Sequence, residues 1–420
     1  MALNEKDQKR VDQLFQFSLF EALTHRRTRR FGLGYEIHDK CFEFKSDTKP
    51  VPLTELETAI LVWSADGVNG LSLGEAQTST NVMQCWNGRT HGNACNDQSN
   101  NFIIMDDSGA YMHKPKDATK LVEFQTPEDR EKFLTFYRQN TTKILNERPT
   151  FPPQAFLQSN QWFAHTGGST WFFPLVDLTS EYINFLLYGM DRDRYQLIDA
   201  NTGKGAGKKI QKAIDDGYLN GLQVPIQLMD IFVYNVCVGA CYFKIQNVAL
   251  AAEAMGVGHF VWGGFTPVIM LGGTPFCKGF GFYFVQGKNG VPNPVGLKGH
   301  IESHCPPFLK NMDEAVDTIF NRKYGPNGCL TRNFKGKTPL KDFSCITENV
   351  KQYDERAVEL TKDYCNYVYE TYGRFPAVVD SIQMPVCMTL HHLDLDFYEK
   401  YYPAEVITEV YRNHMKVWHD

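Results

Sequence analysis

What the chain lacks narrows it first. No two of its eleven cysteines form a C-x-x-C pair, and an odd number cannot close wholly into disulfides. Cys41, Cys85, Cys95, Cys237, Cys241, Cys277, Cys305, Cys329, Cys345, Cys365 and Cys387 therefore read as reduced thiols of a cytoplasmic protein, not a disulfide frame or a zinc ribbon. The nearest pair, Cys237 and Cys241 in "NVCVGACYF", shares a helix face and reads as packing. The N-terminus "MALNEKDQKR" is charged and has no apolar signal core, and no apolar run approaches the ~18 residues of a membrane span. Positive charge is not in excess: the net charge is -5, whereas gripping a phosphate backbone needs a basic face. The expectation is a soluble protein with neither nucleic-acid nor membrane partners. The loop "NTGKGAGKKI" is no P-loop, because Thr202 and Lys209 stand where that motif needs Gly and Ser or Thr.

Apolar material is ample. Hydrophobic residues make up 43% and aromatics 13% of 420 residues, enough for a full core. Val11, Leu14, Phe15, Leu19 and Leu23 form a helical stripe, and "LTELETAILVW" reads as a second helix. Residues 64–100 are small and polar, a long loop. "NFIIMDD" reads as a buried strand ended by the turn signal "DDSG", and "TWFFPLVDL" as another strand before the helix "SEYINFLLYGM". Residues 243–258 form the clearest helix, with Ile245, Ala249, Ala252 and Met255 on one stripe and glycines at its end. Thr347 is expected to cap a helix that stops at Gly373, and a last helix covers about 403–418.

One stretch demands a local cause. "LTHRRTRRFGLGYEI", residues 23–37, gathers four arginines where a helix ends. A phosphate monoester carries about -1.5 to -2 charges and three acceptor oxygens, which suits such a cluster. If the backbone is extended, Arg26, Thr28 and Arg30 share one side. A solvated helix end is the plainer alternative. In "HHLDLDFYEKYY", His391, His392, Asp394 and Asp396 suggest a metal, yet adjacent strand histidines face apart and the aspartates suit helix capping. No metal ligands are assigned. His165, His259 and His304 read as structural, and Trp162, Phe163, Trp171 and Phe172 as core or as an apolar roof over a substrate.

"HRRTRRF" resembles the Arg-Arg-Ser-x-Arg-Phe opening of the nitroreductase-like flavoproteins, with Thr28 in the place of the serine. "TNVMQCW" is similar to that family's polar loop, although Cys85 replaces a proline, and "IQNVALAAEAMGVGHFVWGGF" to its later small-residue helix and glycine pair. The resemblance spans residues 10–285, without the stretch near 125–235. It implies that Arg26, Arg27, Thr28 and Arg30 hold the phosphate of FMN, that Asn81 and Gln84 reach the flavin ring edge, and that Gly263 and Gly264 let the main chain approach the ring. The family's C-terminal phosphate contact has no clear match; Arg332 and Lys335 are candidates.

The implied fold is α+β and nitroreductase-like: a mostly antiparallel central sheet flanked by helices, with a large insertion and a C-terminal extension. Residues 1–125 and 236–300 would form the flavin-binding domain, 126–235 an insertion or lid, and 301–420 a helical extension. The implied activity is an FMN-dependent oxidoreductase of a cytoplasmic homodimer, with NAD(P)H reducing a nitro-aromatic, quinone or related small acceptor. The alternatives are an FMN-dependent dehydrogenase or oxidase of a metabolite or modified peptide and, from another class, a non-catalytic nucleotide- or anion-binding protein. No side-chain acid or base is assigned.

Overall fold

The computed structural model describes residues 3–72, 86–96, 98–115, 124 and 126–419. The chain is α+β. Seven strands form the main sheet: β1 (Asn100–Asp106), β2 (Gly109–His113), β3 (Thr141–Leu145), β4 (Thr170–Asp177), β5 (Gly258–Trp262), β6 (Ile382–Gln383) and β7 (Cys387–His391). Their order is β5-β7-β4-β1-β2-β3, with β6 also on β4, and every pairing is antiparallel. The expected antiparallel-dominated sheet is present.

Near-continuous apolar runs, whose successive side chains point to opposite faces, explain why this sheet is buried on both faces. Phe102 and Ile104 of β1, with Phe172 of β4, pack against a helical layer. Ile103, Met105, Trp171 and Phe173 face an aromatic cluster that includes Phe163, Phe260 and Trp262. Of the four aromatics read as core or roof, Phe163, Trp171 and Phe172 are core at 0–1% exposure, and Trp162 is half-buried against the same cluster. Strand β4 comes from the 126–235 region and β7 from the 301–420 region, and both lie inside the sheet that β1 belongs to.

The principal helices are α1 (Glu5–Gln16), α2 (Leu19–His25), α3 (Glu55–Asp66), α4 (Leu178–Tyr188), α5 (Ile226–Met255), α6 (Met312–Tyr324), α7 (Glu355–Tyr372), α8 (Leu395–Tyr401) and α9 (Glu409–Trp418). Helix α3 opens with a capping box, in which Glu57 N–H donates to Thr54 Oγ1 and Thr54 N–H to Glu57 Oε2 at 2.6 Å. Helix α5 is the spine. Its C-terminal half packs Ile245, Val248, Ala249 and Ala252 on α3 and the sheet, and its N-terminal half packs Val233 and Cys237 beside α4, α6 and α7.

Several boundaries differ from the sequence reading. The expected helix over 243–258 begins at Ile226 instead, because its first half is apolar all round and shows no stripe to read. Helix α5 is also long and apolar enough to cross a membrane by length and composition, with 44% of its most apolar stretch buried within the chain. Asp230, Lys244 and Glu253 interrupt it, so the sequence shows no unbroken apolar run of that length. Asp354, not Thr347, caps α7, and Thr347 lies in a separate short helix, Ser344–Asn349. The last helix starts at Glu409, after a 3-10 turn at Ala404–Val406. In the expected loop 64–100, Val68–Leu71 pairs with Asn87–Arg89.

Candidate functional site

Helix α2 delivers the basic run. Arg26 closes it, its N–H donating to Ala22 O at 3.0 Å, and the chain leaves in extended form. Arg29 N–H then donates to His259 O on the edge strand β5 at 3.1 Å, and Leu33 N–H to His392 O at 2.9 Å. Gly32 allows this approach, for a Cβ there would lie 2.5 Å from the His391 ring. Phe31 anchors the segment, stacking on Phe397 with ring centres 4.1 Å apart.

The four arginines have separate fates. Arg29, which was not singled out in the sequence, is buried against Glu253 at 3.1 Å, with Tyr411 Oη accepting from it at 3.1 Å and donating to Glu253 at 2.9 Å. Two further bonds reach Val406 O, at 3.2 and 2.9 Å. Every direction in which this guanidinium can donate is occupied by protein. Arg26, Arg27, Thr28 and Arg30 are exposed. Among the described residues no carboxylate pairs with Arg26, Arg27 or Arg30. The Arg27 side chain bonds to the main-chain carbonyls of Thr24 and Arg26, and Arg30 lies 5.6 Å from the Phe260 ring centre on β5.

Strand β5 links this cluster to the glycine pair. A rise of about 3.3 Å per residue puts Gly263 about 13 Å beyond His259. A Cβ on Gly263 would make only an ordinary contact, with Pro385 O at 3.8 Å, whereas one on Gly264 would strike Asn160 Nδ2 at 2.5 Å. Gly264 O accepts from Leu157 N at 2.9 Å and Asn160 Nδ2 at 3.1 Å, which fixes the bend. Asn81 and Gln84 lie outside the described residues.

Two cavities of about 830 Å³ open among the described residues, one beside Arg148, Phe151 and His165, the other beside Trp86, Asp177, His304, Arg322 and Lys335. Neither is lined by the basic run or the glycine pair. The second cavity holds a histidine that the sequence left solitary. His304 Nδ1 lies 3.0 Å from Asp177 Oδ2, and Arg322 Nη2 donates to His304 Nε2 at 3.0 Å. Burial pushes the Asp177 carboxyl up, but the bonds from His304 and Thr179 outweigh it and hold it below the ordinary range. Because Asp177 also caps α4, both imidazole nitrogens and both carboxylate oxygens are engaged. This pairing is built to hold rather than to accept a substrate proton. Lys335 lines the same cavity, while Arg332 pairs with Glu348 at 3.4 Å on the surface.

The expected division of "HHLDLDF" holds. His391 turns towards Tyr35 and Phe260, His392 towards His414, and Asp394 caps α8 by accepting from Phe397 N at 3.1 Å. Cys237 and Cys241 are fully buried in α5.

No family model and no curated protein sequence matches the chain. A solved structure of a candidate nitroreductase from Ralstonia eutropha JMP134 is similar over 60% of this chain and 71% of its own, at 13% identity and a TM-score of 0.27. A likeness that loose leaves the functional reading to the residues themselves.

Proposed function

We propose that the chain is an FMN-dependent oxidoreductase of nitroreductase type. The observation that carries this reading is the surface left by Arg26, Arg27, Thr28 and Arg30: cations and a hydroxyl without a carboxylate partner, next to an edge strand that ends at an open glycine. Arg29 pins this segment from below, so the outward arginines stand on a fixed base. Two forked guanidiniums and the Thr28 hydroxyl suit the three oxygens of a phosphate monoester. Gly263 offers the flavin ring a main chain without a side chain. Bound FMN would supply hydride transfer through its N5, and the chain's own task is binding, orientation and electrostatics.

The socket is open in a single chain, so the reading includes a homodimer. Leu228, Ile231, Phe232, Tyr242 and Phe243 are exposed along α5, and Leu19, Phe20 and Leu23 along α2, which packs on α5. A second copy covering these side chains would also shelter the neighbouring arginines. NAD(P)H is the proposed electron donor, and a nitro-aromatic, quinone or related small molecule the acceptor, in the cytoplasm.

Reconstitution with FMN tests the reading. Wild-type protein is expected to retain yellow colour after desalting, and Arg26→Ala to lose it. A colourless protein with no FMN affinity overturns the proposal and favours a non-catalytic anion-binding role. Bleaching by NADPH alone supports the reductase; bleaching only by a metabolite or modified peptide supports the dehydrogenase or oxidase.

A further inference from the structure

Glu57, His392, His414 and His419 come from three separate elements and meet beneath the C-terminus. Glu57 stands in the first turn of α3, His392 follows β7, and His414 and His419 lie in and just after α9. One ligand atom from each falls within 4.8 Å of all the others. Glu57, His392 and His414 are at most 3% exposed, and the His419 side chain is 15% exposed.

The hydrogen bonds decide where the lone pairs point. His414 Nδ1 lies 2.7 Å from Met255 O and must carry the proton there, because a carbonyl only accepts. The neutral ring's Nε2 is then bare. His392 Nε2 faces Pro52 O at 3.4 Å, which leaves its Nδ1 bare as well. These two bare nitrogens confront each other at 3.0 Å, and Glu57 Oε1 lies 3.1 Å from His414 Nε2. His419 Nε2 closes the group at 3.3 Å from Glu57 Oε2. Two lone pairs and a carboxylate converging in a buried space call for a positive centre among them, either a metal ion or a proton on His414 Nε2.

We propose that these four residues bind one divalent transition-metal ion, with zinc(II) the best suited. Metal–ligand bonds of about 2.0–2.1 Å in a tetrahedron set ligand atoms about 3.3 Å apart; three contacts here are 3.0, 3.1 and 3.4 Å, and the whole group lies within 4.8 Å. Three nitrogens and one carboxylate oxygen with no open position describe a structural site. Outer supports are in place: Met255 O and Pro52 O orient the rings, and Thr54 N–H and Oγ1–H hold Glu57 Oε2 at 2.6 and 2.7 Å. The ion would tie α9 to α3 and β7. Since Tyr411 of α9 braces Arg29 and Glu253, it would also steady the platform under the basic run. The site does not depend on the flavin reading.

Elemental analysis of untagged full-length protein, dialysed against metal-free buffer, tests the proposal. One divalent ion per chain is expected, and cobalt(II) exchanged into the protein should show tetrahedral d–d bands. His419→Ala, at the least buried ligand, should weaken retention against a chromophoric chelator by at least about tenfold. Glu57→Gln, which can keep the cap on Thr54, should do the same. Chelator should lower the wild-type melting temperature and leave that of His419→Ala unmoved. Metal-free wild-type protein whose melting does not respond to added zinc or cobalt would overturn the site, as would unchanged retention in both variants.

Discussion

The Arg29 guanidinium lies 3.1 Å from the Glu253 carboxylate, with both side chains 2% exposed. One arginine of the basic run is therefore a structural pin between α5 and α9, and its neighbours are free to do something else. Removing one partner of a buried pair strands the other charge, at a cost of about 3–5 kcal/mol. Arg29→Met should lose that much in urea unfolding, and Arg29→Met with Glu253→Leu should recover most of it. A single-variant loss below about 1 kcal/mol would show that the pair is not buried in solution.

Arg26 and Arg30 should behave in the opposite way. Both are exposed and unpaired with carboxylates, so Arg26→Ala and Arg30→Ala should shift unfolding by no more than about 0.5 kcal/mol. Each charge-assisted bond to phosphate is worth about 1.5–3 kcal/mol, which predicts FMN affinity weakened roughly 10- to 100-fold per substitution. The wild-type advantage should shrink in added salt. Calorimetric titration at two ionic strengths checks both parts. Equal affinity in wild type and variants would remove the phosphate role.

The contrast between these arginines also shows what could be read from the chain alone. Strands such as "NFIIMDD" and "TWFFPLVDL" were legible because an apolar run of that length, ended by a turn or a cap, has few other uses. The helix stop at Gly373 was legible because its φ of 70° suits glycine. Which of the four arginines between residues 26 and 30 turns inward was not, because the deciding carboxylate lies 224 residues away. The same limit hid the group around His392, whose partners are residues 57, 414 and 419. The first half of α5 escaped for another reason. A helix that carries apolar residues on its exposed face too, here Leu228, Ile231 and Phe232, loses the stripe that periodicity detects.

Behind β1, Lys244 Nζ lies 3.0 Å from Asp66 Oδ1 and donates to Asn100 O at 2.8 Å, with both side chains at most 1% exposed. Burial pushes the Asp66 carboxyl up, but Lys244 and Arg89 outweigh it and hold it below its ordinary value. A depressed carboxyl stabilises the fold above its unfolded pKa near 4 and loses that contribution as pH falls through the folded value. In Lys244→Met the stranded Asp66 would shift upward and protonate more readily. The cost of the substitution should thus be about 3–5 kcal/mol at pH 7 and smaller at pH 4.5. Urea unfolding of both proteins at the two pH values checks this; a cost that grows on acidification would contradict it.

Buried neutral histidines predict a further loss of stability in acid. Burial holds His259 down to about 4, and His91 and His113 to about 3. The unfolded chain takes up these protons near pH 6.5, while the folded one resists until the lower values. Between those limits the unfolded state binds more protons, so unfolding becomes easier as pH drops. Each histidine contributes a slope of up to about 1.4 kcal/mol per pH unit. His259 suits a test because, among the described residues, its Nδ1 faces only Val257 O, at 3.2 Å, and its Nε2 has no partner. His259→Gln should flatten the stability curve between pH 6 and 4.5 by about that one-histidine slope. An unchanged slope would mean that His259 already carries its proton in the folded protein, and that the main chain around β5 is wetter than its 1% exposure implies.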